Sequence, residues 1–350
     1  MLPLWPCRIG VHLNTLTVAA LVTGTLLGTW FTSGIVRALL YRQSILAHPD
    51  RRSSHTTPIP QGGGIAVVGM TAVGWIGIGV MDIGDYPSLA AILAAALSLA
   101  IISWFDDVGT LPIAPRLMFQ AAAVTVVMLL APTEALTQGI LPLPIDRLLT
   151  ALLWVWFINL FNFMDGIDGI AGVETLCVCI GVAGVASIAG SGGDLIMQAT
   201  ILGAAMAGFL PWNWHPAKLF LGDVGSVPVG FMIGWLLLEL AGNGHWLAAL
   251  ILPSYYLSDA TLTLIRRAIH GKAVWKPHRE HFYQRAVNAG LSHKKASMAV
   301  AITGAWLLCC ALLSAIPNPP VLFTATGATL GVVGLLCYFQ RAAHSTPAAI

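Results

Sequence analysis

The chain has 350 residues, of which 57% are hydrophobic and only 9% charged, with a formal net charge of +2 and a mean hydropathy of +0.81. A soluble domain carries about 25% charged residues, so the composition excludes a soluble globular protein and describes a polytopic membrane chain. The six cysteines form no CxxC or Cys/His ligand spacing, so neither a zinc site nor a disulfide framework is expected, and the small net charge says little about partners. A bilayer core needs about 20 apolar residues per helix. Eleven stretches are candidates, in chain order: Leu13–Ile35, Gly63–Met81, Leu89–Phe105, Leu117–Ala131, Leu148–Phe163, Ile170–Ala189, Leu195–Pro211, Val227–Ala241, Trp246–Ile265, Ala296–Ile316 and Val321–Phe339. The first lacks a small-residue cleavage site and reads as a retained helix, not a signal peptide. The predicted fold class is all-α: a polytopic membrane helix bundle of about 11 transmembrane helices, with residues 1–350 forming a single integral membrane domain.

Basic residues set the expected orientation. The odd-numbered loops and the C-terminal tail hold 15 of the 17 Lys and Arg, leaving only Arg8 and Arg147 on the other side. The N-terminus is therefore expected outside and the C-terminus in the cytoplasm. Cytoplasmic loops are expected at about 36–62, 106–116, 164–169, 212–226 and 266–295. Every polar cluster falls on them, whereas Asp82, Asp85, Glu134, Asp146 and Asp194 are scattered over the even loops without a pattern. This one-sided convergence describes a site at the cytoplasmic face of a bundle.

The central stretch is NLFNFMDGIDGIAG, Asn159 to Gly172. Its Asn159, Asn162, Asp165 and Asp168 recur every three residues, about 300° of helix per step, so only near neighbours share a face. Gly166 and Gly169 suggest that the helix ends there. Carboxylates and amides at the mouth of a membrane helix are costly unless they bind something. Asp106 and Asp107 end the third apolar run. They are either a solvated helix end, or a base or metal ligand at which adjacent carboxylates repel in the absence of a cation. Gly222-Asp223 is either a turn aspartate or a hard-cation ligand. His48 to Gly64 combines Arg51, Arg52, Ser54 and His55 with three glycines. It suits phosphate through basic side chains and open backbone N–H groups, or it is a basic segment lying against anionic lipid. His278, Arg279 and His281 lie in the longest polar loop and read as phosphate donors or as a solvated basic loop. Asn213 is a hydrogen-bonding amide or a turn residue. No role is assigned to Glu239 or Asp259.

Taken in order, RSSHTTPIPQGGG, FDD, NFMDGIDG, GFLPWNWHPAKLFLGDVGS and HREHFYQR resemble the motifs of the polyprenyl-phosphate N-acetylhexosamine-1-phosphate transferase family. The resemblance spans His48 to Arg285. Arg279 and Glu280 separate His278 from His281, where the muramyl-pentapeptide translocases have consecutive histidines, so the chain looks more like the undecaprenyl-phosphate enzymes that initiate O-antigen or related surface glycans. Gln61 stands where the family usually has an arginine.

The resemblance implies transfer of an N-acetylamino-sugar-1-phosphate from a UDP-sugar to polyprenyl (undecaprenyl) phosphate, giving polyprenyl-diphosphate-sugar and UMP, in a bacterial inner membrane with the site on the cytoplasmic side. It implies Mg²⁺, with Mn²⁺ as a substitute, held by Asp223 and Asp107. Asp106, Asp107, Asp165 and Asp168 would be catalytic, and Arg51, Ser54, His55, Asn162, Asn213, His278, Arg279 and His281 would bind substrate. The implied partners are the UDP-N-acetylamino sugar, the polyprenyl phosphate and the bilayer, with a homodimer left open and no nucleic acid. An ion-coupled transporter is the alternative; it would keep its ionisable residues near the bilayer midplane, in paired repeats.

Overall fold

The computed structural model describes residues 15–47, 58–81, 86–109, 111–131, 135–190, 192–274 and 278–344. The chain is a bundle of α-helices: α1 (Thr15–Arg42), α2 (Gly64–Val80), α3 (Tyr86–Val108), α4 (Ile113–Leu130), α5 (Leu143–Met164), α6 (Ile170–Ala189), α7 (Gly193–Asn213) and α8 (Asp223–Leu240), then α9 (Trp246–Ile251), α10 (Ser254–Ile269), α11 (Phe282–Asn288), α12 (His293–Leu313) and α13 (Val321–His344). Apolar sequence favours helices here because a bilayer leaves the backbone no hydrogen-bond partner but itself. Among the described residues, nine helical stretches are long and apolar enough to cross a membrane, and α2, at 17 residues, is a shorter apolar helix.

The expected eleven spans differ from the structure in one place that matters. Trp246–Ile265 is not one helix: a π-turn at Ala241–His245, with Gly244 in the left-handed region, leads into the short α9, and Pro253 separates it from α10. A proline cannot donate the ladder hydrogen bond, so the run breaks where its hydropathy does not.

Several expected loops are also shorter than their polar residues suggest. Asp106 and Asp107 belong to the last turn of α3, Trp212 and Asn213 to the last turn of α7, and Asp223–Ser226 to the first turn of α8. Helix ends carry unpaired backbone groups that polar side chains can serve, so the polar clusters mark helix termini more than open loops.

The centre is α8, buried along nearly its whole length. It packs against α3 and α5, while α7 packs between α1 and α6, and α12 covers α6. The α2–α8 approach depends on glycine: a Cβ on Gly64 would lie 2.1 Å from Gly225 Cα.

The small all-β contribution is a ribbon of β1 (Leu46–Ala47) and β2 (Ile59–Pro60), paired antiparallel. Beyond it, the N–H groups of Gly62 and Gly63 donate to Phe220 O and that of Gly64 to Leu221 O. The expectation that these glycine N–H groups face a phosphate is therefore corrected: they are buried and tie the segment before α2 to the segment before α8.

Candidate active site

The site forms at the end of the bundle where α3, α5, α7 and α10 finish and α4, α6, α8 and α12 begin. Asp106, Asp107, Asp165, Asp168 and Asp223, contributed by three separated stretches of sequence, all lie at this one end. Arg51, Ser54 and His55 fall outside the described residues.

Asp107 holds the start of α8. Its Oδ1 accepts from Asp223 N (2.9 Å) and from Gln61 Nε2 (2.6 Å), and its Oδ2 accepts from Val224 N (2.8 Å). This carboxylate from α3 thus serves the unpaired N–H groups of another helix. Gly222, at φ 76°, makes the turn into α8, and a Cβ there would sit 2.7 Å from Asp107 Oδ2. Gln61, the residue that departs from the family pattern, is thereby a neutral donor to Asp107.

Asp106 accepts from Leu111 N at 3.0 Å and pairs with Arg116 Nη1 at 2.6 Å. The other arm of that guanidinium reaches Asp223 Oδ2 at 3.3 Å. Asp223 Oδ1 accepts from Asn162 Nδ2 (2.9 Å), which also contacts Ser226 Oγ (2.8 Å). Arg116 entered the sequence reading only as a topology charge, because nothing in its local sequence marks it. In three dimensions it bridges two of the site's carboxylates.

Asp165 and Asp168 flank the turn between α5 and α6 and have opposite surroundings. Asp165 is half-buried. Burial, together with the charges of Asp223, Asp107 and Asp168, pushes its carboxyl up to about 7. Asp168 is buried. Burial alone would raise it, but the hydrogen bond and charge of His293 and the hydrogen bond from His215 hold it below the usual carboxylate range. His215 Nδ1 lies 2.7 Å from Asp168 Oδ2, His293 Nδ1 lies 3.1 Å from Oδ1, and Ala217 N donates to Oδ2 at 3.1 Å. Asp168, His215 and His293 place their ligand atoms within 4.8 Å of one another, a spacing open to a metal. Both oxygens are already engaged by ring nitrogens and a backbone N–H, so the arrangement serves as a clamp on the turn.

Asn213 completes that clamp: its Oδ1 accepts from Gly169 N (3.0 Å) and its Nδ2 donates to Leu219 O (3.1 Å). Gly169, at φ 79°, turns the chain into α6. His293 stands alone in its segment, and His215, although inside the WNWHPAKLFLGDVGS stretch, has no neighbour in sequence that marks it as a partner of Asp168.

Opposite this turn lies the histidine segment. His278 and His281 rings are 4.9 Å apart. Burial and the neighbouring His281 and Arg267 push His278 down to about 4, and its Nδ1 accepts from Glu280 N at 3.3 Å. At neutral pH it is an uncharged imidazole and not the cation that a phosphate-binding reading would first assume. Arg279 is half-buried beside it. Glu280 pairs with Arg267 and with Lys272 Nζ at 3.0 Å. Burial opposes its ionisation, but the Lys272 hydrogen bond and the Arg267 charge hold it below the ordinary glutamate range.

Arg116, Asn159, Asn162, Asp223, His278 and His281 line one cavity of about 590 Å³, whose remaining wall is mostly apolar and comes from α4, α5 and α10. Asn159 holds Gln120 Oε1 at 2.6 Å across the α4–α5 contact. A second, almost wholly apolar cavity of about 530 Å³ lies between α5, α8 and α9. Trp156 borders both cavities. Apolar lining thus runs along α5 on both sides of Trp156, beside the polar residues of the first cavity.

The donor set fits a hard divalent cation. Asp223 and Asn162 offer oxygens at the cavity wall, and Mg²⁺ takes one or two carboxylates plus substrate phosphate oxygens. Arg116 supplies positive charge against Asp223 in this arrangement. Asp107 spends its oxygens on α8 and Gln61, whereas Asp223, at the cavity wall, is held by the side chains of Asn162 and Arg116.

A family model described as glycosyl transferase family 4 matches residues 89–241. The chain is 27% identical to the decaprenyl-phosphate N-acetylglucosaminephosphotransferase of Mycolicibacterium smegmatis, over 83% of this chain and 80% of that one. It is 30% identical to a Streptomyces coelicolor protein that carries a glycosyltransferase name, over 91% of this chain and 76% of the other. It is 27% identical to the undecaprenyl-phosphate alpha-N-acetylglucosaminyl 1-phosphate transferase of Salmonella typhi, over 78% and 77%.

Proposed function

The chain belongs to glycosyl transferase family 4, among the polyprenyl-phosphate N-acetylhexosamine-1-phosphate transferases, and from that premise we propose that it transfers an N-acetylamino-sugar-1-phosphate from a UDP-sugar to undecaprenyl phosphate. UMP leaves, and a polyprenyl-diphosphate-sugar remains in the membrane. One phosphoanhydride replaces another, so no ATP enters. The observation that carries this reading is the gathering of five aspartates at one end of a membrane bundle, beside a cavity whose apolar wall runs along α5.

The chemistry follows from charge. A nucleotide diphosphate and a lipid phosphate are both anions, and they must meet beside carboxylates. Asp223, with Asn162 next to it and Asp107 behind it, would hold Mg²⁺. The ion, with Mn²⁺ as a substitute, would neutralise charge developing on the diphosphate. Arg116 pairs with Asp106 and Asp223 and can turn to a substrate phosphate as a bidentate donor. Asp165, whose carboxyl is pushed up to about 7 by burial and by its neighbours Asp223 and Asp107, would hold or release a proton at the acceptor phosphate. His278 and His281 line the opposite wall, and they, with Arg279 beside them, would contact the substrate phosphates. The clamped Asp168 and Asn213 shape the turn that carries Asp165. The lipid tail would run past Trp156 over the apolar lining along α5.

The bias of basic residues supports a cytoplasmic site, with the C-terminus inside and the N-terminus outside a bacterial inner membrane. The product would open a surface-glycan pathway such as O-antigen synthesis. The transporter alternative finds no support, since the relatives carry transferase names.

The deciding experiment incubates membranes containing the protein with labelled undecaprenyl phosphate and a panel of UDP-N-acetylamino sugars. One sugar is expected to give a labelled lipid diphosphate and UMP. EDTA should stop the reaction, and Mg²⁺ or Mn²⁺ should restore it. Product formation at full rate in chelator would remove the metal from this scheme, and no product with any sugar would remove the scheme.

A further inference from the structure

The amphipathic helix α10 turns one carboxylate inward. Asp259 is fully buried, where a charge without partners is strongly destabilising. Two of its partners come from its own helix: Tyr255 OH donates at 3.2 Å and Thr263 Oγ1 at 3.3 Å. The others come from the histidine segment. Phe282 N donates at 3.0 Å and Tyr283 N at 3.4 Å, and His281 Nδ1 lies 3.3 Å away. Phe282 and Tyr283 begin α11, a helix of seven residues, too short to hold itself in place.

The contacts continue beyond that segment. Tyr283 OH donates to Phe163 O at 3.3 Å, and a Cβ added to Gly166 would lie 2.3 Å from that hydroxyl. Tyr283 therefore rests against the turn that carries Asp165. A single buried carboxylate thus holds a segment that spans from the cavity-lining His281 to the aspartate turn.

We propose that Asp259 is a positioning residue: it sets the place and ring orientation of His281 and, through Tyr283, the spacing between the histidine wall and the Asp165 turn. Because an ionised carboxylate only accepts hydrogen bonds, the contact keeps a proton on His281 Nδ1 and leaves Nε2 as the nitrogen that can exchange one. The glutamate–arginine pair of Glu280 and Arg267 fixes the same segment to α10 at a second point. The kinetic part of this inference rests on the transferase reading; the structural part does not.

Asp259→Asn is nearly isosteric and replaces one acceptor oxygen with an N–H₂ group that opposes the donors around it. Hydrogen exchange of residues 278–289 is expected to quicken by about tenfold or more, with or without turnover. UMP release is expected to fall at least tenfold in kcat/KM. In combination with His281→Ala, the double variant should be about as slow as the slower single variant, since residues acting as one unit are not additive. Independent, multiplying losses would show that Asp259 supports the fold without acting through His281. Unchanged exchange with turnover within twofold of the parent would overturn the proposal outright.

Should Asp259→Asn not fold, Phe282→Pro deletes the 3.0 Å bond, with Phe282→Ala as the control for loss of the ring that lies 6.0 Å from the Arg266 guanidinium. Proline is tolerated at the first position of a helix, and His281, at φ −58° and ψ 151°, already has the backbone that precedes a proline. The same two measurements then decide. A protein that releases no UMP from any sugar fails the transferase reading, while the exchange result still tests the anchoring.

Discussion

At the scale of single residues, one site gives its carboxylates different work. Asp107 caps a neighbouring helix, Asp168 is clamped by two histidines, Asp259 anchors a loop, and Asp223 stays at the cavity wall. Asp223→Asn is therefore expected to lower UMP release by at least about 10²-fold, as loss of metal-borne charge stabilisation would. The protein should remain inserted and monodisperse on fluorescence-detected size exclusion. Near-normal turnover would take Asp223 out of the metal site. Asp165 makes a pH prediction. Its folded value, about 7, lies above the unfolded 3.8, so its contribution to stability is full below the unfolded value and lost as pH rises through the folded one. In EDTA, the melting temperature should fall between pH 5 and pH 8, and Asp165→Asn should flatten that decline. A decline of the same steepness in the variant would assign it to other groups.

Helix ends and helix crossings carry the next level. The polar motifs looked like loops in the sequence because hydropathy reports side chains and not backbone hydrogen bonds. In the fold they sit in the last turns of α3 and α7 and the first turn of α8, where unpaired backbone groups need polar partners. The glycine triplet is read differently too. Its N–H groups bind the carbonyls of Phe220 and Leu221, and Gly64 meets Gly225 with no room for a side chain. Gly225→Ala should force α2 from α8 and disturb the Asp107 cap one turn away, lowering thermal stability by about 1–3 kcal/mol, the usual overpacking cost. It should also cut turnover. An alanine variant that melts and turns over like the parent would show that the crossing has slack.

For the whole molecule, the two cavities that share Trp156 put apolar lining along α5, beside the polar end of the bundle. Trp156→Ala is expected to raise KM for a long polyprenyl phosphate several-fold and to leave KM for a short-chain analogue nearly unchanged. Equal effects on both acceptors would place the tail elsewhere. The sequence by itself determined that the chain lives in a membrane, that it is helical, and that its acids cluster in ordered motifs. Composition and the spacing of apolar runs are local properties, and the bilayer leaves them few alternatives. The motif order was enough to mark out the family. Only the tertiary structure decided which acids share a pocket and which are spent on holding it. Arg116, His215, His293 and Asp259 each have decisive partners far away in the chain. Pairing of that kind depends on helix packing, which brings distant side chains to one point, and no local pattern records it.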